Sequence, residues 1–157
     1  MKIVSLARPL LRWAFPILCA AWLSSCASDQ GATKDQPVTL SLTNAGAQPI
    51  RCRLMFGHWV DRDLGELAPG ASTSLSMMQA AADGALYVMR ADGQRRMMIE
   101  TIQCAGPGDW MQSFGQVDFA PVRSRRAQAI EAICAAPAGG GRVACRLDHI
   151  TQHLEGS

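Results

Sequence analysis

Apolar and polar residues alternate through most of this chain. Val38, Leu40 and Leu42 are separated by Thr39 and Ser41 and followed by Thr43, a period of two that predicts a half-buried strand. Asn44 to Pro49 has the chemistry of a turn. Ile50, Cys52, Leu54 and Phe56 then alternate with Arg51, Arg53 and Met55, predicting a second strand with Cys52 on its inner face. Asp61-Arg62-Asp63 is expected to break it, and Leu64 to Leu67 to form a short strand of its own. After the Pro69-Gly70 turn, Ser72 to Met78 reads as another strand, serines outward and Leu75 inward. Ala85 to Arg90 and Arg95 to Cys104 flank Ala91-Asp92-Gly93-Gln94, the best hairpin signal in the chain. On the return arm both faces carry apolar residues (Met98, Ile102 and Cys104 against Met97 and Ile99), so that strand is expected to be central. Val117 and Phe119 suggest one more strand, ending at Pro121.

The period changes at Ser124. Ala127, Ile130, Ile133 and Cys134 fall at helical spacing, and Ser124 stands where an N-cap would, so a short helix is expected over 124–136. The competing reading is a strand carrying Ile130, Ala132 and Cys134, hairpinned onto Arg142 to Leu147. Val143, Cys145 and Leu147 alternate as a last strand. Six or seven short strands with regular turns predict a mainly β fold: a small antiparallel β-sandwich of immunoglobulin-like architecture with one short C-terminal helix. Cys52, Trp59 and Cys104 follow the Cys–Trp–Cys order of immunoglobulin domains. The tyrosine expected two residues before the second Cys is Ile102, so only the architecture is adopted.

The N-terminus follows another pattern. Lys2, Arg8 and Arg12 precede an apolar run from Trp13 to Leu23. A bilayer-spanning helix needs about 20 apolar residues, and Pro16 interrupts this shorter run. Positive flank, short apolar stretch and small residues is the order of a secretory signal peptide. Leu23-Ser24-Ser25-Cys26 resembles the lipobox of bacterial lipoproteins, over residues 1–26 only. The resemblance implies diacylglycerol on the Cys26 thiol and cleavage just before it. Ordinary secretion with a cut after Ala27 is the alternative. The expected organisation is a signal peptide over 1–25, a flexible tether over 26–37, the β-sandwich domain over 38–149 and a frayed tail over 150–157. In lipoproteins of two-membrane bacteria an Asp after the lipidated Cys marks inner-membrane retention; Ala27 stands there, so the resemblance implies the periplasmic face of the outer membrane rather than the inner membrane.

Charge changes once the leader is set aside. The chain of 157 residues has 15 Lys and Arg, 13 Asp and Glu, and a formal net charge of +2. Three of the basic residues lie before residue 26, which leaves the mature chain slightly acidic overall. No nucleic-acid partner is expected. The partners implied are the lipid bilayer, through acylated Cys26, and another envelope protein.

Of the six Cys, Cys19 leaves with the leader and Cys26 takes the lipid. Cys52, Cys104, Cys134 and Cys145 remain, an even number that reads as disulfides in an exported chain. Spacing alone allows three pairings. The favoured one is Cys52–Cys104 with Cys134–Cys145, because Pro137 and Gly139-Gly140-Gly141 let the short loop turn back.

No phosphate loop, zinc-protease motif or nucleophile elbow occurs, so neither an enzyme nor a cofactor is expected. The function expected is a non-enzymatic interaction module, with Trp59, Trp110, Arg123, Arg125 and Arg126 as contact residues. The alternative is copper or zinc binding. Met97 and Met98 would supply thioethers, and His149 and His153, four apart, would supply imidazoles. Core filling by Met is the plainer use of the same side chains.

Overall fold

A computed structural model describes residues 34–57 and 60–152. It is mainly β. The strands are β1 (Gln36–Asn44), β2 (Ile50–Phe56), β3 (Val60–Leu67), β4 (Ser72–Gln79), β5 (Leu86–Met89), β6 (Arg96–Ala105), β7 (Gly115–Val117), β8 (Ala127–Ala135) and β9 (Ala144–Gln152). Two four-residue helices, α1 (Trp110–Ser113) and α2 (Ala120–Arg123), complete the described elements. The strands form one open mixed sheet in the order β3-β2-β6-β5-β4-β1-β8-β9, with β7 also on β6. No helix among the described residues is long and apolar enough to cross a membrane.

The alternation read from the sequence carries into the burial. Val38, Leu40 and Leu42 of β1 point inward, as do Cys52, Leu54 and Phe56 of β2, and all join one apolar cluster. The hairpin forms as expected: the Arg90 amide donates to the Arg95 carbonyl at 2.9 Å, and Gly93 takes φ 69° at the turn. β6 lies between β2 and β5. Both its faces read as apolar because pairing with β2 shifts between Met55↔Thr101 and Phe56↔Ile99. Glu100 bulges outward there, so Ile99 and Ile102 both reach the core.

Five expectations are corrected. Residues 124–136 are not a helix: β8 pairs parallel with β1, from Thr39↔Ala129 to Asn44↔Cys134, and antiparallel with β9. Filling both edges of this strand with backbone hydrogen bonds outweighs the weak helical preference of an alanine-rich segment. Ser124 instead ends α2. The same parallel pair means the sheet is mixed rather than wholly antiparallel. Asp61-Arg62-Asp63 does not break the chain but lies within β3, where Arg51 pairs with Asp63 and Arg53 with Asp61 across the strands. The region around Phe119 is helical, with Pro121 at the start of α2. The domain edges also move outward. β1 begins at Gln36, two residues into the expected tether, and β9 continues to Gln152, where Ile150 packs opposite Ile130.

Both disulfides are the favoured pairs, and each joins residues directly opposite on hydrogen-bonded antiparallel strands. Cys52 faces Cys104 between β2 and β6, and Cys134 faces Cys145 between β8 and β9.

Candidate functional site

The turn end of the β5–β6 hairpin supplies most of one groove. Its volume is about 680 Å³, and its lining is Phe56, Gly57, Val60, Arg90, Arg95, Arg96, Met97 and Met98. The local sequence explains the composition. Arg90 and Arg95 close the Asp-Gly turn, and Arg96-Met97-Met98 begins the return strand. Val60 is 49% exposed and Met98 38%, so apolar surface remains open to solvent beside three guanidinium groups.

Those three arginines are not equivalent. Arg96 is fixed: its guanidinium meets the Asp35 carboxylate at 2.7 Å and lies 4.7 Å from the Tyr87 ring centre. Asp35 also accepts from the Tyr87 hydroxyl at 2.7 Å and from the Ala81 amide at 2.9 Å. The Tyr87 hydrogen bond, the Ala81 amide and then the Arg96 charge hold the Asp35 carboxyl below its ordinary range. The same hydrogen bond, helped by burial, raises the Tyr87 phenol. Arg90 pairs with Asp92 at 3.5 Å. Arg95 has no carboxylate within ion-pair distance among the described residues. Glu100 sits near the Gly57 end. The groove thus offers an apolar wall, polarisable thioethers and one guanidinium, that of Arg95, with no ion pair among the described residues, a surface for a ligand with an acidic group and apolar side chains.

The residues singled out from sequence are scattered. Cys26, Trp59 and His153 lie outside the described residues. Trp110 begins α1 and is half-buried, with the Arg53 guanidinium 4.3 Å from its ring centre. Arg123, Arg125 and Arg126 line a separate hollow with Gln79 to Gly84. Arg126 is occupied there, donating to the Gln36 side chain at 3.0 Å and the Lys34 carbonyl at 3.1 Å. Gln36 and Gln79 are buried and bonded to each other, and Gln79 holds the Val122 and Arg125 carbonyls and the Ala127 amide. Arg126 therefore belongs to the network that fixes where β1 enters the fold. Met97 and Met98 both line the groove, but as consecutive strand residues Met97 packs against the core while Met98 is exposed. His149 stands exposed on β9, opposite Glu131. Among the described residues, the one set of three or more close metal-ligating side chains is Cys104, Cys134 and Cys145, whose sulfurs are held in the two bridges.

Arg90, Arg95, Arg96, Phe56 and Val60 were not singled out. The available signal was the clustering of arginines on both sides of a hairpin turn, followed directly by two methionines.

No family model matches this chain, and no curated protein does. Among solved structures, it is similar to an NMR structure of a protein from Eubacterium rectale. Identity is 11% over 83% of this chain and 99% of the other, at a TM-score of 0.37.

Proposed function

We propose that this protein is a lipid-anchored lipoprotein of the bacterial envelope. Its β domain would act as a non-enzymatic interaction module that receives an acidic, partly apolar segment of another envelope protein. The observation that carries the interaction reading is the groove, where exposed Val60 and Met98 adjoin Arg95, which has no ion pair among the described residues. Anchoring through Cys26, at the periplasmic face of the outer membrane, rests on the order of charged flank, apolar run and Leu23-Ser24-Ser25-Cys26. The bilayer is then the second partner, and two or three acyl chains would make the attachment firm.

The sandwich reading of the domain is supported by the two bridges. β6 and β8 are far apart in strand order. Yet the Sγ atoms of Cys104, Cys134 and Cys145 all lie within 4.8 Å of one another. Two runs of the sheet facing each other across one core would bring these sulfurs together; a flat sheet would separate them.

A photo-crosslinking residue at position 98 in envelopes tests the docking. The expected result is one acidic partner, captured from position 98, not from position 74 on the serine face of β4, and lost with Arg95→Glu. Equal capture from both positions, or capture indifferent to Arg95→Glu, overturns it. A second reading draws on Met97 and Met98 both lining the same groove: thioether binding of copper(I). Titration with copper(I) that releases no heat removes that reading and leaves the first intact.

A further inference from the structure

The two disulfides are neighbours. Three of the four sulfurs lie mutually within 4.8 Å, and the fourth, on Cys52, is bonded to Cys104. Cys52, Cys104 and Cys134 are fully buried, whereas Cys145 is half-buried. Cys145 also lines a hollow of about 400 Å³, together with Phe114, Gly115, Gln116, Arg142, Val143 and Ala144. Gly115 stands in its wall because β7 runs so close to the start of β9 that a Cβ there would stand 1.9 Å from the Val143 carbonyl oxygen. Glycine therefore leaves this wall without a side chain. Arg142 adds a positive charge where an incoming thiolate would arrive.

We propose that Cys145 is the entry point for a dithiol reductant and that the adjacent bridges exchange partners once it is attacked. A donor thiolate attacks Cys145 Sγ; the Cys134–Cys145 bond breaks, and Cys134 leaves as a thiolate. The donor's second thiol resolves the mixed disulfide. The donor thus becomes a disulfide, and the chain gains two electrons and two protons. The Cys134 thiolate then attacks Cys104 Sγ within the core. A Cys104–Cys134 bond forms, the Cys52–Cys104 bond breaks, and Cys52 departs as a thiolate that takes up the proton Cys134 would have carried. This second step moves the bridge and consumes no further reductant. Its product links β6 to β8, strands that share no backbone pairing, and frees the β2–β6 and β8–β9 pairs. The inference rests on the sulfur cluster and is independent of the docking groove.

The test is peptide mapping after one equivalent of dithiothreitol is added to the folded protein and the thiols are trapped with N-ethylmaleimide. Label on Cys52 and Cys145, with Cys104 linked to Cys134, is the expected product. Label confined to Cys134 and Cys145, or to Cys52 and Cys104, overturns the exchange. Cys52→Ser gives an independent reading without reductant, because its Cys104 thiol lies against the second bridge. Expected is a linked Cys104–Cys134 peptide with label on Cys145; label on Cys104 alone contradicts the proposal. Should that variant not fold, the wild-type map decides.

Discussion

The Tyr87 hydroxyl donates to the Asp35 carboxylate at 2.7 Å across 52 residues of sequence. It joins the root of the N-terminal segment to the strand that leads into the hairpin. Arg96, on the hairpin's return arm, binds the same carboxylate. One ionised group therefore pins the entry of β1 and sets a wall of the groove at once.

This arrangement has a pH signature. Asp35 titrates below its ordinary value in the folded chain. Its contribution is therefore fully present above the unfolded-state value of 3.8 and fades as pH falls through the lowered one. Asp63 is lowered further, to about 2, by Arg51 and the Gly65 amide. Both partners of that pair are about half exposed, however, and solvent screening leaves it little weight. Urea midpoints compared at pH 7 and pH 3 should fall less for Asp35→Asn than for the wild type. Asp63→Asn should track the wild type.

Gly115 faces the Val143 carbonyl with no space for a side chain. Gly115→Ala must push β7 away from the start of β9, at a cost of about 1–3 kcal/mol typical of overpacking. Thermal unfolding under oxidising conditions should show a fall of several degrees. Gly139→Ala, which meets nothing nearby, should leave the midpoint within experimental scatter.

Gln79 is the busiest buried polar side chain. Its amide donates to Gly84, Val122 and Arg125 carbonyls, and its oxygen accepts from Gln36 and the Ala127 amide. Gln79→Leu keeps the volume but strands these partners, and each unmatched buried group costs about 1–3 kcal/mol. Chemical denaturation should show a loss above ~2 kcal/mol. A loss near zero would mean that the network is replaceable by apolar packing.

Much of the strand pattern was legible because period-two alternation maps directly onto burial, as in Val38-Leu40-Leu42. The turn chemistry of Asp92-Gly93 fixed the hairpin locally. The disulfide pairing was legible for a related reason: a glycine-rich loop of this length permits the short bridge, and the long one follows. Residues 127–135 misled because Ile130, Ile133 and Cys134 satisfy a helical period while Ile130, Ala132 and Cys134 satisfy a strand period. Only the long-range partner, β1, decides between them. The parallel pairing leaves no local trace, nor does the bulge at Glu100. The acidic pair Asp61 and Asp63 looked like a break because its cationic partners lie on the preceding strand. The groove was hidden for the same reason, since it assembles Phe56 and Val60 with residues 30 or more positions away.

Removing the bridges in pairs separates their weights. Loss of Cys52–Cys104, which spans 52 residues, should cost roughly 4 kcal/mol in the chain-entropy account, and loss of Cys134–Cys145, which spans 11, roughly 3 kcal/mol. Paired Cys→Ala variants compared by denaturant unfolding should keep that order. A larger loss from the short bridge would assign its value to native packing around the sulfur cluster instead.

The central claim is that the chain is exported, acylated at Cys26 and folded with both bridges closed. Intact mass of the protein extracted from bacterial envelopes tests it most directly. The predicted species begins at Cys26, carries a diacylglyceryl group, and lacks the four hydrogens of two disulfides. A species that keeps Met1, or one cut after Ala27 without lipid, would contradict the anchoring; a mass with all four domain thiols reduced would contradict the bridges.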